Sequence, residues 1–325
     1  MIDFPKRRIM TAALAATVAF AVGALAPGAG WAEDGYPTRP ITMLIGYAAG
    51  GQTDLVGRGA ARVLSQELGV PVNVVNRPGS GGLVATQALQ RTQPDGYTIL
   101  FQGHSVVNAD PFLVAQADFV PDDFEYAGMI TAFQLGLATQ RDAPYDTLAE
   151  FVEWARENPG FVYGSLGPGA RLYMEAIAEA EGLQANIIPL QGGGDMVNAL
   201  LGRQVVLAYS GGLHYRYPDE LKTIATTTTY RHPSAPDVET INEQGYPLGM
   251  DTRTTLILPR GTPRPILERL SNALAAAQTD EEFLRMTASA DIPVMYLDLD
   301  QAAEEVHQSY ETNLAIFAAA GIEPR

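Results

Sequence analysis

Cysteine is absent from the chain, which rules out a disulfide framework, a thiolate metal site and a lipid-bearing cysteine. Histidine is scarce: His104, His214, His232 and His307 are scattered without the paired spacing that a zinc site needs. Positive charge is also in short supply, with 21 Lys and Arg against 37 Asp and Glu and a net charge of −16. Such a surface repels nucleic acid and anionic membrane, so neither is expected as a partner. Neither G-x-x-x-x-G-K-[ST] nor G-x-G-x-x-G occurs, and no nucleotide or other cofactor is expected. Beyond the N-terminus no apolar run is long enough to cross a bilayer.

What is present begins with an export signal. Lys6, Arg7 and Arg8 precede an apolar stretch from Ile9 to about Ala26, and Gly30-Trp31-Ala32 places small residues where a signal peptidase reads. Cleavage after Ala32 is expected, and with it a periplasmic location. Gly23, Pro27 and Gly28 interrupt the apolar stretch and argue against an uncleaved anchor. The pair Arg7-Arg8 leaves twin-arginine export open beside the general route. Loss of residues 1–32 removes three cations and Asp3, taking the net charge to −18.

Strand and helix signals then alternate. Ile41–Ile45, Val72–Val75 and Thr98–Phe101 read as strands, separated by helices over Thr53–Leu68 and Leu83–Arg91. This order predicts a parallel, doubly wound α/β sheet. A second such run has strands at Leu135–Thr139, Val162–Ser165, Asn186–Leu190 and Val205–Tyr209, with helices between them. After a strand at Thr254–Leu258 the pattern turns helical through Pro265–Ala277, Glu281–Ser289 and Gln301–Ala319. Strands near residues 135 and 256 flank a self-contained unit. The chain is therefore expected to leave one lobe, build a second and return, with a ligand held between the two.

Ligands of open α/β sheets gather where strands lead into helices. The loop Tyr47-Ala48-Ala49-Gly50-Gly51, running on to Thr53 and Asp54, is such a place. Its glycines allow close approach, Thr53 or Asp54 can cap the helix, and the first-turn amides lack internal partners and favour an anion. A capped tight turn without a ligand explains the same residues. Ser165-Leu166-Gly167-Pro168-Gly169-Ala170 repeats the pattern in the second unit, and Gln191-Gly192-Gly193-Gly194 and Ser210-Gly211-Gly212 add two more loops. Pro78-Gly79-Ser80-Gly81-Gly82 reads as a structural helix entry. Gly103-His104-Ser105-Val106-Val107 begins like the serine-hydrolase elbow G-x-S-x-G but carries Val107 in place of the last glycine. His104 and Ser105 are therefore expected to line the cleft, without catalysis.

The segments "YPTRPITMLIGYAAGGQTD", "VPVNVVNRPGSGGLVATQAL", "PDGYTILFQG", "FVEWARENPGFVYGSLGPGA" and "LPRGTPRPILERLSNAL" occur in that order. Together they resemble the extracytoplasmic solute receptors of tripartite tricarboxylate transporters, the Bug or TctC-like family, from Tyr36 to the C-terminal helix. The resemblance implies a two-lobed periplasmic binding protein of the Venus-flytrap type II, each lobe a doubly wound sheet, with hinge strands between. It implies lobe 1 over 33–133 and 254–325 and lobe 2 over 134–253. It implies no enzymatic activity, capture of a small organic carboxylate, delivery to membrane permease subunits and a monomeric receptor. The loops Ala48–Asp54 and Ser165–Ala170 would hold one carboxylate through backbone amides and ordered water.

Departures from the family pattern bear on the ligand. Ala170-Arg171 stands where Ser or Thr is common, and Arg253 stands near a usual aromatic position. Pro189-Leu190-Gln191-Gly192 replaces "PYKG", and Tyr209-Ser210-Gly211 replaces an Asp-Asn pair. Arg171 and Arg253 are candidates for a second anionic group, making the ligand a dicarboxylate. An exposed pair between Arg171 and Glu175, four residues on, is the plainer reading of Arg171. A receptor feeding a sensor kinase, and a secreted hydrolase using Ser105, are the alternative functions.

Overall fold

The computed structural model describes residues 35–232 and 235–319. The leader expected over residues 1–32 lies outside the described residues. The chain first forms β1 (Ile41–Ile45), α1 (Gln52–Leu68), β2 (Val72–Asn76), α2 (Leu83–Gln90) and β3 (Thr98–Gly103). Two single-turn helices follow, α3 (Ser105–Asn108) and α4 (Asp110–Leu113), then the long strand β4 (Phe124–Ala132). A second layer is built from β5 (Gly136–Gln140), α5 (Leu148–Glu157), β6 (Phe161–Ser165), α6 (Pro168–Glu181), β7 (Ala185–Pro189), α7 (Gly193–Leu201), β8 (Leu207–Ser210) and β9 (Leu221–Thr226). The chain returns through β10 (Arg253–Pro259) and ends in α8 (Arg264–Ala275), α9 (Glu281–Ala288), β11 (Val294–Leu297) and α10 (Leu299–Ala319).

These strands make two sheets, in the order β11-β4-β10-β3-β1-β2 and β7-β6-β8-β5-β9. The parallel sheet expected from the β-α-β-α-β order exists only in part. β2, β1 and β3 run parallel, as do β7, β6 and β8, but β10 is antiparallel to β3 and β4, and β5 is antiparallel to β8 and β9. Mixing follows from the chain path, because a strand that returns from the other lobe enters the sheet from the opposite end.

Apolar periodicity explains the packing. On one face of the first sheet Met43, Ile45 and Phe101 meet Leu64 of α1, Leu270 of α8 and Phe283 of α9. On the other face Leu44, Leu100 and Ile257 meet Leu89 of α2 and Val306 of α10. The second sheet is covered likewise, by Phe151 and Ile177 on one side and Met196 and Leu200 on the other. Each buried aromatic or leucine of this kind contributes about 1.5–3 kcal/mol. Helix ends are marked locally. Gly69 closes α1 in a left-handed conformation, and Thr147 with Glu150 forms a capping box at α5.

The chain passes between the sheets twice, and the passages lie side by side. Phe133 N–H donates to Thr252 O, Thr227 N–H to Leu135 O and Met250 N–H to Thr227 O, each at 3.0 Å. Just before them the buried hydroxyls of Thr131 and Thr254 meet at 2.7 Å, where β4 pairs with β10. Two adjacent crossings of this kind make a hinge with few bonds to bend.

Candidate functional site

The crossings and the strand ends of both sheets surround one cavity of about 960 Å³, part of it open to solvent. The first lobe brings Tyr47, Gly51, Thr53 and Ser105 to its wall. The second brings Gly167, Gly169, Ala170 and Tyr209, and the crossings add Phe133, Met250 and Thr252.

Among the described residues, three helices of more than two turns begin at this cavity, beside the single-turn α3 and α4. In α1 the first amide with an internal acceptor is Leu55, on Gly51 O at 2.9 Å; in α6 it is Arg171, on Gly167 O at 3.0 Å; in α7 it is Met196, on Gly192 O at 3.0 Å. The amides of Gln52, Thr53, Gly169, Ala170, Gly193 and Gly194 therefore have no acceptor among the described residues. Among the described residues, neither lysine nor arginine lines the wall. Positive potential in this cavity comes from spare N–H groups and helix dipoles, which suits one compact anion such as a carboxylate.

The loop before α1 is held from below. Asp54, 4% exposed, accepts Gly50 N–H at 3.0 Å, Arg58 Nε–H at 3.0 Å and Asn76 Nδ2–H at 2.9 Å, while Asn76 also donates to Tyr47 O. Burial pushes the Asp54 carboxyl up, but the hydrogen bonds from Arg58, Gly50 and Asn76 outweigh it and hold its pKa below the usual 3.8. Asp54 is thus a brace behind Ala49 and Gly50, both of which are exposed outside the cavity wall. Because the folded pKa is depressed, its stabilisation is full above the ordinary carboxylate pKa and is lost as pH falls through the folded value. Asp54→Asn should therefore cost about 1–3 kcal/mol at neutral pH. The gap from wild type should close in acid, as read from denaturation midpoints across a pH series.

Gln102 is a second brace: Gly46 N–H donates to its Oε1 at 3.2 Å, and its Nε2 donates to Gly81 O at 3.0 Å. It joins the loop after β1 to the segment Pro78–Gly82. That segment was expected to be a plain helix entry, yet Gly81 lines the cavity and faces Gly167 of the other lobe.

The lobes touch through glycine. A Cβ on Gly167 would lie 2.9 Å from Gly81 Cα, and one on Gly51 would lie 3.0 Å from Gly193 N. Ala48 N–H donates to Gln191 O at 3.0 Å across the same seam. Gln191 is therefore a seam residue whose carbonyl faces the other lobe and whose side chain is exposed, outside the cavity.

Other expected site residues support the wall from behind. Ser165 donates its hydroxyl to Gly167 O at 2.7 Å and fixes the loop before α6. Ser210 accepts Gly212 N–H at 3.1 Å and contacts His214 Nδ1 at 2.6 Å. His104 is fully buried, and its Nδ1 accepts Arg253 N–H at 3.1 Å. Burial, then the Arg253 charge, lower its pKa to about 3, so it is neutral. Ser105 lines the cavity, but no histidine hydrogen-bonds its hydroxyl among the described residues, so no nucleophile–base pair forms.

The two arginines point elsewhere. Arg171 Nε pairs with Glu175 Oε1 at 2.7 Å on the exposed face of α6. Arg253 Nε pairs with Glu305 Oε1 of α10 at 3.3 Å, beside Met295. In both cases the guanidinium is paired with a carboxylate outside the cavity wall.

Several wall residues went unforeseen. Tyr173 stacks on Tyr209 with ring centroids 5.5 Å apart and an interplanar angle of 17°, forming an aromatic floor. Gln52, Asn108, Asp110, Asp251 and Asn313 also reach the cavity. The first-turn position of Gln52 was the one available signal among them.

Comparison with known proteins accords with this geometry. Residues 56–322 match the tripartite tricarboxylate transporter family receptor profile. The chain is 32% identical over 319 residues to the "UPF0065 protein in gbd 5'region" of Cupriavidus necator, covering 97% of each chain. It is 31% identical over 259 residues to protein BugT of Bordetella pertussis, covering 75% of this chain and 78% of that one. Among solved structures it is similar to the periplasmic binding protein BugD, with a TM-score of 0.79 and 29% identity, covering 89% of this chain and all of that one. This chain belongs to the receptor family of tripartite tricarboxylate transporters, whose members bind solutes and are not enzymes.

Proposed function

We propose that this protein is a periplasmic receptor that closes on a small organic carboxylate and passes it to the membrane subunits of a tripartite transporter. The observation that carries the reading is the convergence of spare amides from α1, α6 and α7 on one cavity without a lysine or arginine. In the proposed cycle the units 33–133 with 254–325, and 134–253, rotate about the paired crossings. The ligand carboxylate bridges the amides of Thr53 and Gly51's loop to those of Gly169 and Ala170, and Tyr209 packs against the solute body. Ser105 and Tyr47 offer hydroxyls to it. A leader cleaved after Ala32 would deliver the receptor, as a monomer, to the periplasm.

The expected dicarboxylate rested on Arg171 and Arg253, and their ion pairs with Glu175 and Glu305 withdraw that support. One carboxylate is what the amides favour. The test is a thermal-shift screen against mono-, di- and tricarboxylates. A ligand that binds only the folded protein stabilises it by about 2.7 kcal/mol at a hundred times its Kd. At least one monocarboxylate-bearing solute should raise the melting temperature in a saturable way. A screen in which no carboxylate does so overturns the proposal.

A further inference from the structure

The carboxylate clamp leaves several polar groups of the wall unused, and one of them is a buried carboxyl. Asp110 opens α4, lines the cavity and is only 5% exposed. No hydrogen bond or ion pair reaches its carboxyl group among the described residues. Its surroundings come from the start of α4 and from α10: Asn313 of α10 donates to Asn108 O at 3.0 Å, and Phe112 packs on Phe317 and Tyr310. Burial alone pushes the carboxyl well above its ordinary pKa, since nothing in the protein compensates its charge.

We infer that the solute carries a protonated amine as well as its carboxylate, and that Asp110 receives that amine. The inference rests on the clamp reading for the carboxylate end. A buried carboxylate without a partner is costly, and an ammonium supplies both the opposite charge and three donors. The rest of the wall points the same way. Asp251, the other acid lining the cavity, is already satisfied by Thr229, through N–H at 3.0 Å and the hydroxyl at 2.6 Å. Two acids and no cation disfavour a second anion on the solute, except at the helix ends that the first carboxylate occupies. Between these poles Phe133, Met250 and the Tyr173–Tyr209 pair provide an apolar wall for a hydrocarbon or aromatic body.

The test is calorimetric titration with three matched series. The amino acids are γ-aminobutyrate, ε-aminocaproate and L-phenylalanine; the dicarboxylates are glutarate, pimelate and benzylmalonate; the plain acids are pentanoate, heptanoate and hydrocinnamate. At least one amino acid should bind about tenfold or more tightly than both of its counterparts. In Asp110→Asn, an isosteric change, that preference should vanish. A dicarboxylate or plain acid that binds as tightly as its amino counterpart in every set overturns the inference and leaves the clamp standing. The wild-type comparison decides this even if the variant does not fold. Silence across all three series overturns the clamp and this inference together.

Discussion

Gly167→Ala will weaken ligand binding by about 5- to 150-fold while leaving the unliganded protein as stable as wild type. The added methyl would sit 2.9 Å from Gly81 Cα, backbone against backbone, where no side chain can swing aside. Gly167 itself has φ 168, extended backbone open to any residue, so the substitution creates no local strain. The clash exists only when the lobes meet, and overpacking of this sort costs about 1–3 kcal/mol. That cost falls on the closed state and appears as lost affinity. Small-angle scattering should show that ligand compacts the wild type and fails to compact the variant. Wild-type affinity in Gly167→Ala would mean that the seam is not formed in the bound state.

Gly169→Asp should weaken carboxylate binding about a thousandfold. A Cβ at this position meets only Met250 Cε, at 3.9 Å, so there is room for the side chain. An acidic residue in the first turn of α6 also complements the helix dipole, and the fold should not suffer. Its carboxylate would compete with the ligand for the amides of Gly169 and Ala170 and would repel it. At about 4 Å and an effective dielectric near 20 the repulsion is about 4 kcal/mol, about a thousandfold in affinity. Gly169→Ala separates bulk from charge and should bind at least about a hundredfold more tightly than the aspartate variant. Equal affinities for the two variants would place the anion elsewhere.

The parts of this architecture written in local pattern could be read from the sequence. The loops at Gly51 and Gly167 follow buried strands and precede amphipathic helices, so a strand–turn–helix signal located them. The long strand β4 escaped notice: Gly128 at φ 135 and two register shifts against β10 break the alternation that marks a strand. Asp110, Asn313 and Asp251 lie far apart in sequence, and only the packing of α10 and the second crossing brings them to one cavity. Arg171 and Arg253 show the limit from the other side. For Arg171 the sequence already offered Glu175, four residues on, as the plainer partner, and the structure has that pair; for Arg253 only the fold supplies Glu305 from α10. The braces Asp54 and Ser165 look like site residues in the sequence because they hold the loops whose backbone faces the cavity, whereas Gln102 gave no such signal.

The claim at the centre of this account is that backbone amides at helix starts of both lobes hold a carboxylate. Calorimetric titration of the tightest-binding acid from the thermal-shift screen, beside its own carboxamide, tests this most directly. The two differ in charge and hardly in shape. The amides should bind the acid at least about a hundredfold more tightly, because charge-assisted hydrogen bonds are about twice as strong as neutral ones and several act at once. A carboxamide that binds as tightly as the acid would contradict the account.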